Sequence, residues 1–583
     1  MKKANSDYLE NLNPEQRAAV TASIANKAVV AGPGTGKTQT LIARIVYLIR
    51  ELHMSPSTIM VVTFTRKAAA QLTSKLKQYI SPGEYPRYIG TFHALAFAIL
   101  QNHYGKTLTL ITPNEQAELV PSKEMREHIS AYKNNVRAAS PDVMRAANLY
   151  QVALLKKNWV DYDDLLLLLR DALTKHPQKR PSITHVLIDE FQDTNGLQYE
   201  IIRNLGAQEH FVIGDPQQSI YSFRGAQPAI FECFMRDFPQ TKLFHLSRNY
   251  RSGARILSVA QSLFPGITPL TAVVAHEATA QCITVSDEYT EASYIIRTII
   301  ESTGGVDLNS SSRNNITQQE SFSDCAVIYR THSFARTLES VFIQSGIPYQ
   351  IIGGDSLYES PLVSFITGCL RLLLPESVSK TVPLPSLLKK RLPLPQECAS
   401  ILENNKHNGL ADKPVSEVFH TLITQFELER RFSKQKTWIT HLQQCLSTVA
   451  RFDNSKHSIQ SYLDYVDYLE DHEFYDPHSN AVTLMTMHAS KGLEFAQVFV
   501  CGMEDGSIPS HTKGADSDEE RRLLYVAITR AKQAVYLFKA QQRQGKSRLL
   551  SPLLLEMRGE HLVYKEDKAS IRKLARKSQL KLF

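Results

Sequence analysis

Short apolar runs alternate with longer helical stretches in the first part of the chain. The runs are KAVVAG, TIMVVTFT, THVLIDE and HFVIGD, and the helix-like segment LIARIVYLIREL follows the first of them. Short apolar strands joined by helices are typical of a parallel sheet, whose functional residues gather at the carboxyl ends of the strands. The pattern therefore predicts an α/β fold with its chemistry at one edge of a sheet.

A second alternating region begins near Gln281 and includes CITVSDE, CAVIYRTHS and QVFVCGME. Mainly helical sequence interrupts each region once, which predicts two α/β domains with one helical insertion each. The predicted segments are residues 1–95 with 181–250 for the first domain, 96–180 for its insertion, 251–360 with 481–560 for the second domain, and 361–480 for its insertion.

Two further segments are polar. GGVDLNSSSRNNITQQESFS has few aromatic residues, which predicts a disordered surface loop. Residues 565–583 are rich in Lys and Arg, which predicts a flexible basic tail.

Composition excludes some classes of protein and leaves others open. Lys and Arg number 66 against 58 Asp and Glu, a mild excess that fits a polyanionic partner without requiring one. There is no run of eighteen apolar residues, the N-terminus has no apolar signal segment, and the seven cysteines form no Cys-x-x-Cys pair. We therefore expect a cytoplasmic protein without disulfides, a zinc site or a membrane span.

A phosphate-binding loop follows the first apolar strand and precedes a helix. Its residues are Ala31, Gly32, Pro33, Gly34, Thr35, Gly36, Lys37 and Thr38, with Ala31 where the first glycine of the pattern usually stands. Such a loop wraps backbone N–H groups around phosphates, while Lys37 reaches the β and γ oxygens of ATP and Thr38 binds Mg²⁺. An ordinary glycine-rich turn is the alternative, which the flanking strand and helix disfavour.

Charged residues that could complete an ATPase follow later strands. The strand VLIDE supplies Asp189 for Mg²⁺ and Glu190 to orient the attacking water. Arg251 in NYRS and Arg530 in YVAITRAK are candidates to stabilise the γ-phosphate, although an ordinary surface arginine is the alternative for each.

Ten sequence blocks in a fixed order carry a family likeness. They are LNPEQRAAV, AGPGTGKT, TFTRKAA, GTFHALAF, DYDDLL, VLIDEFQDTN, GDPQQSIYSFRGA, NYRS, TMHASKGLEF and EERRLLYVAITRAK. The chain thereby resembles superfamily 1 DNA helicases of the UvrD/PcrA/Rep type. The resemblance implies two RecA-like domains with ATP between them. It also implies 3′–5′ movement on single-stranded DNA in repair, replication restart or clearance of proteins from DNA.

The resemblance also assigns roles around ATP. By position in the blocks, Gln16 contacts the adenine edge, Tyr250 stacks on the adenine, Glu494 holds the ribose and Gln218 senses the γ-phosphate. Arg251 and Arg530 become two arginine fingers, which couples closure of the cleft to hydrolysis.

The same loop that carries Gln218 also carries Tyr221 and Phe223, which the resemblance places against DNA bases. Base stacking needs no particular sequence, which suits a protein that moves along DNA. Four further residues of the blocks are expected to contact DNA: Phe64, Arg66, His93 and Tyr162. For any one of these aromatic residues alone, packing in the core would be the alternative.

The chain departs from the family in several places. Phe223 stands where relatives often have Trp, Arg66 where Asn is usual, Gln39 where Arg is common and Gln217 where Asp is usual. The second insertion, residues 361–480, is shorter than in the family, so we expect a reduced 2B regulatory domain.

Three alternatives and one partner complete the predictions. A single-strand-stimulated ATPase that strips protein–DNA complexes without efficient unwinding is the main alternative, a P-loop phosphotransferase is disfavoured, and a nuclease-fused helicase is not expected. The final QLKLF (Gln579, Leu580, Leu582 and Phe583) is similar to peptides that bind the sliding clamp, unless this end folds back onto the protein.

Overall fold

The computed structural model describes residues 8–571 with gaps. The residues outside the described part are 1–7, 24, 112, 135–138, 305–319, 353–360, 375–400, 405–408, 434–438, 440–441, 443–444, 447–448, 454–457, 468–474, 477–478, 512–515, 558–560, 570 and 572–583. Most of the predicted disordered loop and the predicted clamp peptide therefore lie outside the described residues. The chain divides into a larger unit, Met1–Gln350 with Pro477–Phe583, and a smaller unit, Ile351–Asp476.

Nineteen strands are present in the described part of the chain. They are β1 (Lys27–Ala31), β2 (Ile59–Val62), β3 (Tyr88–Gly90), β4 (Thr109–Leu110), β5 (Trp159–Val160), β6 (His185–Ile188), β7 (Glu209–Gly214), β8 (Lys242–Leu246), β9 (Arg248–Asn249), β10 (Thr271–Ala272), β11 (Thr279–Val285), β12 (Cys325–Tyr329), β13 (Tyr349–Ile352), β14 (Val482–Thr486), β15 (Phe495–Val500), β16 (Ala531–Ala540), β17 (Gln542–Arg543), β18 (Lys546–Ser547) and β19 (Val563–Glu566).

The first described α-helix precedes β1, and the others lie between the strands. They are α1 (Pro14–Thr21), α2 (Lys37–Arg50), α3 (Arg66–Leu76), α4 (Phe92–Tyr104), α5 (Pro113–Leu119), α6 (Lys123–Lys133), α7 (Pro141–Lys156), α8 (Tyr162–Lys175), α9 (Gly196–Asn204), α10 (Ile230–Asp237), α11 (Ala254–Gln261), α12 (Glu288–Ser302), α13 (Ala335–Ser345), α14 (Pro361–Leu373), α15 (Val415–Gln425), α16 (Leu428–Arg431), α17 (Ser458–Asp467), α18 (Ser517–Ile528) and α19 (Pro552–Glu556). None of them is long and apolar enough to cross a membrane.

The first sheet has six parallel strands in the order β3-β2-β6-β7-β1-β8. Successive side chains of β1 point to opposite faces, as a pleated strand requires. Ala28 packs into the core that includes α4 and α8, whereas Val29 packs into the core that includes α1 and α2. Helices therefore cover both faces, and the carboxyl ends of the strands form one functional edge.

Helical sequence between β3 and β6 forms the first insertion. A small core of Ile129, Tyr150 and Leu154 holds α6 and α7 together. The Lys133 Nζ lies 2.7 Å from Asp161 Oδ2 and 2.9 Å from Asp164 Oδ1, and all three side chains are buried. These two carboxylates of the DYDDLL block therefore fix the start of α8 against α6.

The second sheet has seven strands in the order β13-β14-β12-β15-β16-β11-β19. Lys565 and Glu566, which we placed in the flexible tail, belong to β19 and pair in parallel with Ile283 and Thr284 of β11. Their side chains are exposed, so the backbone ladder rather than side-chain burial holds this strand. Together, the two parallel sheets flanked by helices confirm the predicted α/β class and fit two RecA-like domains.

The smaller unit is built from helices around a separate apolar core. Residues of α14, α15 and α17 contribute to it, including Phe365, Phe419 and Tyr462. The rings of Phe365 and Phe426 meet edge to face with centroids 5.1 Å apart.

Candidate active site

The phosphate loop follows β1 at the functional edge and requires glycine at two positions. Gly34 and Gly36 have φ angles of +66° and +84°, which residues with a side chain rarely adopt. A Cβ on Gly34 would lie 2.6 Å from the Cβ of Arg251, and a Cβ on Gly36 would lie 2.5 Å from the Nε2 of Gln16. The positive φ therefore disfavours a side chain at both positions, and at Gly34 the close approach of Arg251 also excludes one.

Lys37 begins α2, so its ammonium group and the N-terminus of this helix lie together. Its Nζ donates to the carbonyl oxygens of Ala31 at 3.2 Å and Gly32 at 3.4 Å. Thr38 follows in the first turn of α2. A cation and free helical N–H groups at one place are suited to binding a polyphosphate.

Gln16 and Tyr250 flank this loop. Gln16 Nε2 donates to the carbonyl of Thr35 at 2.9 Å, while Asn13 Nδ2 donates to the Tyr250 hydroxyl at 2.9 Å. Tyr250 is 43% exposed, so part of its ring is open to a ligand. The hydrogen bond from Gln16 to the loop was not expected from the sequence.

Asn249 is a site residue that the sequence analysis missed, although it lies within the NYRS block. It is fully buried and its Nδ2 donates to the carbonyl of Pro33 at 2.6 Å. Its Oδ1 accepts the N–H groups of Arg251 and Ser252, both at 2.8 Å. Asn249 thus fixes the position of Arg251 relative to the phosphate loop.

The carboxylates Asp189 and Glu190 follow β6 at the same edge. Glu190 has a φ of +49°, and its N–H donates to Asp189 Oδ1 at 3.0 Å. Burial raises the pKa of Asp189 to about 7, and the charge of Glu190 adds to this increase. Burial also acts to raise the pKa of Glu190, but the positive charges of Lys37 and Lys491 outweigh it and hold that pKa below its ordinary value.

A divalent cation fits this arrangement. Mg²⁺ prefers oxygen ligands and is commonly held by one or two carboxylates together with substrate phosphates. Asp189 offers a carboxylate beside the phosphate loop, and its Oδ1 accepts the N–H of Glu190, whose own carboxylate adds a second acidic side chain at this edge. Within the described residues there is no cluster of three His, Cys, Asp or Glu that would form a metal cage.

The two arginines reach the site from the second α/β region. Arg530 is buried, and its Nη2 donates to Gln218 Oε1 at 3.2 Å. Burial lowers the pKa of Arg530 to about 9, and nearby Arg251 adds to this decrease, so the guanidinium still carries its charge at neutral pH. Gln218 Nε2 donates in turn to Asp215 Oδ2 at 2.7 Å.

Arg251 lies 2.7 Å from Glu494, measured from Nε to Oε2. Lys532 approaches the other carboxylate oxygen of Glu494 at 2.9 Å. Burial acts to raise the pKa of Glu494, but Arg251 and Lys532 hold it below its ordinary value. The structure thus places Arg251, a predicted arginine finger, in contact with Glu494, the residue predicted to hold the ribose.

Lys491 is a second residue that the sequence analysis missed. Its Nζ lies 2.7 Å from Asp193 Oδ1 and donates to the carbonyl of Gln218 at 2.7 Å. It also lies 4.9 Å from the centre of the Tyr221 ring. Lys491 therefore joins the carboxylate block, the Gln218 loop and the aromatic residues.

Four rings form a continuous row beside the site, which we call the aromatic row: Phe64, Tyr221, Phe223 and His488. Phe64 and Tyr221 stack with centroids 5.0 Å apart, and Phe223 lies 5.9 Å from Tyr221 and 5.8 Å from His488. Tyr221 is only 8% exposed, whereas Phe223 is 50% exposed. Phe223 thus presents about half of its surface to solvent, while Tyr221 is packed within the row. His488, in the TMHASKGLEF block, was not predicted.

His93 and Tyr162 pair with each other, with ring centroids 5.5 Å apart. Burial lowers the pKa of His93 to about 4, and the charges of Arg224 and Arg66 contribute. His93 is therefore neutral at pH 7 and lies close to two arginines. Arg224, within 5.7 Å of the Phe223 ring centre, adds a cation that the sequence analysis did not single out.

Comparison with known proteins agrees with this geometry. Residues 12–114 and 106–239 match the family model described as UvrD/REP helicase N-terminal domain. Residues 244–472 and 395–542 match the model described as UvrD-like helicase C-terminal domain.

Curated proteins are similar over most of the chain. DNA helicase II of Escherichia coli is 29% identical over 92% of this chain and 86% of that protein. The ATP-dependent DNA helicase UvrD1 of Mycobacterium leprae is 30% identical over 92% of this chain and 83% of that protein. The ATP-dependent DNA helicase PcrA of Bacillus subtilis is 26% identical over 92% and 84%, respectively.

Proposed function

The chain belongs to the UvrD/REP helicase family, and on this premise we propose that it is an ATP-dependent DNA helicase that moves 3′–5′ along single-stranded DNA. The observation that carries the proposal is the loop from Asp215 to Arg224, in which Gln218 contacts Arg530 and Phe223 faces outward. One short segment therefore joins an ATP-type site to an exposed stacking surface. We propose roles in repair, replication restart or clearance of proteins from DNA.

ATP is proposed to bind with its phosphates against the loop from Ala31 to Thr38. Lys37 and the N-terminus of α2 supply positive charge, and Tyr250 supplies an exposed ring for the adenine. Gln16 contributes to the adenine pocket while it holds Thr35, and Glu494 accepts the ribose hydroxyls.

For hydrolysis, Glu190 orients the attacking water and accepts its proton. Asp189 and Thr38 would hold Mg²⁺, which when bound neutralises charge on the phosphate oxygens. Arg251 and Arg530 donate to the γ-phosphate in the transition state. Gln218 senses whether the γ-phosphate is present, and it lies in the loop that also carries Phe223. The two arginines reach ATP from the second α/β region, so hydrolysis requires the cleft to close around ATP.

Single-stranded DNA is proposed to run along the aromatic row, with Phe223 stacking on bases. Arg66, Arg224 and the His93–Tyr162 pair line the same region and suit a polyanion. Phe64 and Tyr221 complete the stacking surface from within, where they support Phe223.

Replacing Phe223 by alanine is expected to weaken binding to oligo(dT) by about tenfold, because base–aromatic stacking contributes about 1–3 kcal/mol per base. Replacing it by tryptophan is expected to strengthen binding, since the stacking surface grows. Fluorescence anisotropy at fixed salt measures both. Tyr289→Ala is the matched control, because Tyr289 is also exposed but lies on α12. Equal affinities for Phe223→Ala and the wild type would exclude this role.

Strand separation on duplexes with either a 3′ or a 5′ single-stranded tail tests the proposed function. We expect ATP-dependent unwinding from the 3′ tail only, and no unwinding by Lys37→Ala. Unwinding from the 5′ tail alone would reverse the proposed polarity. ATP hydrolysis that DNA does not stimulate, together with no unwinding, would refute the function itself.

The second candidate function is a DNA-stimulated ATPase that strips proteins from DNA without efficient unwinding. The alignment with DNA helicase II spans 634 positions although this chain has only 583 residues, so that relative carries segments absent here. A reduced second insertion fits this difference. Stimulated hydrolysis without strand separation would favour the second candidate.

A further inference from the structure

Helix α18 contacts the loop of Gln218 and Phe223 at three separate points. Near its start, Glu519 Oε1 accepts the N–H of Ser222 at 3.1 Å, and the other carboxylate oxygen accepts the Ser222 hydroxyl. One turn later, Arg522 Nε donates to the carbonyl of Ser219 at 2.7 Å. Just beyond its end, Arg530 Nη2 donates to the side chain of Gln218.

The helix is held firmly on its other side. Glu520 is buried and accepts three hydrogen bonds from Arg330, from Nε at 3.0 Å and 3.1 Å and from Nη2 at 2.7 Å. Glu520 also accepts the N–H of Ser510 at 2.9 Å. All residues from Arg522 to Ile528 are buried. Because a buried helix moves as a rigid element, its two ends are mechanically connected.

Ser222 begins the short 3-10 turn that carries Phe223 and Arg224. The N–H that Glu519 accepts is the first of this turn, and the turn has no side-chain cap of its own. The carboxylate therefore ties the start of this turn to α18. Charge-assisted hydrogen bonds of this kind are stronger than neutral ones.

We propose that Glu519 is a positioning residue that couples single-stranded DNA at Phe223 to ATP hydrolysis at Arg530. When a base stacks on Phe223, the Ser222–Glu519 contact transmits the position of the turn to α18, whose opposite end places Arg530 at the γ-phosphate. The inference rests on the proposed function and adds a residue that contacts neither ATP nor DNA.

Glu519→Gln and Ser222→Ala test the proposal from both sides of the contact. ATP hydrolysis without DNA, and the affinity for oligo(dT) without nucleotide, are expected to stay within about twofold of the wild type. The maximal hydrolysis rate with saturating oligo(dT) is expected to fall about tenfold in Glu519→Gln, and by a smaller factor in Ser222→Ala, which keeps the backbone N–H that donates to Glu519. The double variant should be no slower than Glu519→Gln alone, because the hydroxyl that Ser222→Ala removes is one of the two groups that donate to Glu519.

Glu556→Gln is the matched control. Glu556 lies on α19 and pairs with Arg521 of α18, but in the described structure it contacts no residue of the loop that carries Gln218 and Phe223. The same chemical change there should leave the DNA-stimulated rate unchanged.

Three results would overturn the proposal. The first is full DNA stimulation in Glu519→Gln or in Ser222→Ala while the wild type is stimulated, which leaves the helicase proposal intact. The second is a loss of basal and stimulated hydrolysis in equal proportion in both variants, which would show a merely structural contact. The third is the absence of stimulation in the wild type, which would refute the proposed function as well.

Discussion

Replacing Arg530 by lysine is expected to lower the maximal rate of ATP hydrolysis in the presence of single-stranded DNA by about 10³-fold or more. An arginine finger stabilises charge that develops on the γ-phosphate, and its contribution is confined to the transition state. The affinity for oligo(dT) without nucleotide should be almost unchanged, because Arg530 lies outside the aromatic row.

The geometry explains why lysine cannot substitute for Arg530. The Nε of Arg530 donates to the carbonyl of Val526 at 2.9 Å and its Nη1 donates to that of Leu493 at 3.3 Å, so the planar group is fixed while Nη2 faces Gln218. A lysine ammonium lacks this fork, and at a buried position it would lose its charge more readily.

Phosphate release at saturating oligo(dT) measures the effect on hydrolysis, and thermal unfolding checks that the variant is folded. Arg521→Lys is the matched control, since Arg521 lies on α18 but donates to Glu556 and to the carbonyl of Leu263. A rate for Arg530→Lys within tenfold of the wild type would show that Arg530 is not a catalytic residue.

Local sequence pattern was sufficient for the strands that carry the chemistry. The apolar runs before Ala31, Asp189 and Asp215 all form parallel strands, and the residues after them gather at one edge of the sheet. Each apolar run and the functional residues directly after it are neighbours in the sequence. They can therefore be recognised without knowledge of the tertiary structure. The strands β3, β8 and β16 were not predicted individually.

Contacts between distant segments could not be predicted in this way. Lys491 and Asp193 are 298 positions apart, yet they form a buried ion pair. Likewise, the sequence did not reveal that the ring of Tyr221 stacks on Phe64 and lies 4.9 Å from the Nζ of Lys491. Such contacts between distant segments decide how much of each aromatic ring is exposed.

Side-chain partners also changed the interpretation of polar segments. The acidic DYDDLL block contained the DNA candidate Tyr162, but its carboxylates Asp161 and Asp164 bind Lys133 and hold two helices together. In the C-terminal segment, Lys565 looked like part of a mobile tail, yet backbone hydrogen bonds to β11 include it in the sheet. Charge and composition describe side chains and cannot reveal backbone pairing.

Replacing Glu190 by glutamine is expected to reduce the maximal rate of ATP hydrolysis by about 10²–10⁴-fold, the usual contribution of a general base. The change keeps the shape of the side chain but removes its capacity to accept a proton from water. Gln192 Nε2 donates to Glu190 Oε2 at 2.6 Å, and the left-handed backbone at Glu190 fixes where the side chain begins. The orientation of residue 190 should therefore survive the substitution.

A parallel Glu494→Gln variant separates catalysis from binding. If Glu494 holds the ribose, its loss should raise the KM for ATP several-fold and change kcat little, whereas Glu190→Gln should lower kcat with a similar KM. Steady-state kinetics at saturating oligo(dT) measures both quantities. A loss of folding would instead lower the rate of ATP hydrolysis in both variants, without this difference between kcat and KM. Normal kcat in Glu190→Gln would assign the base to another residue and leave Asp189 as the carboxylate that holds the metal.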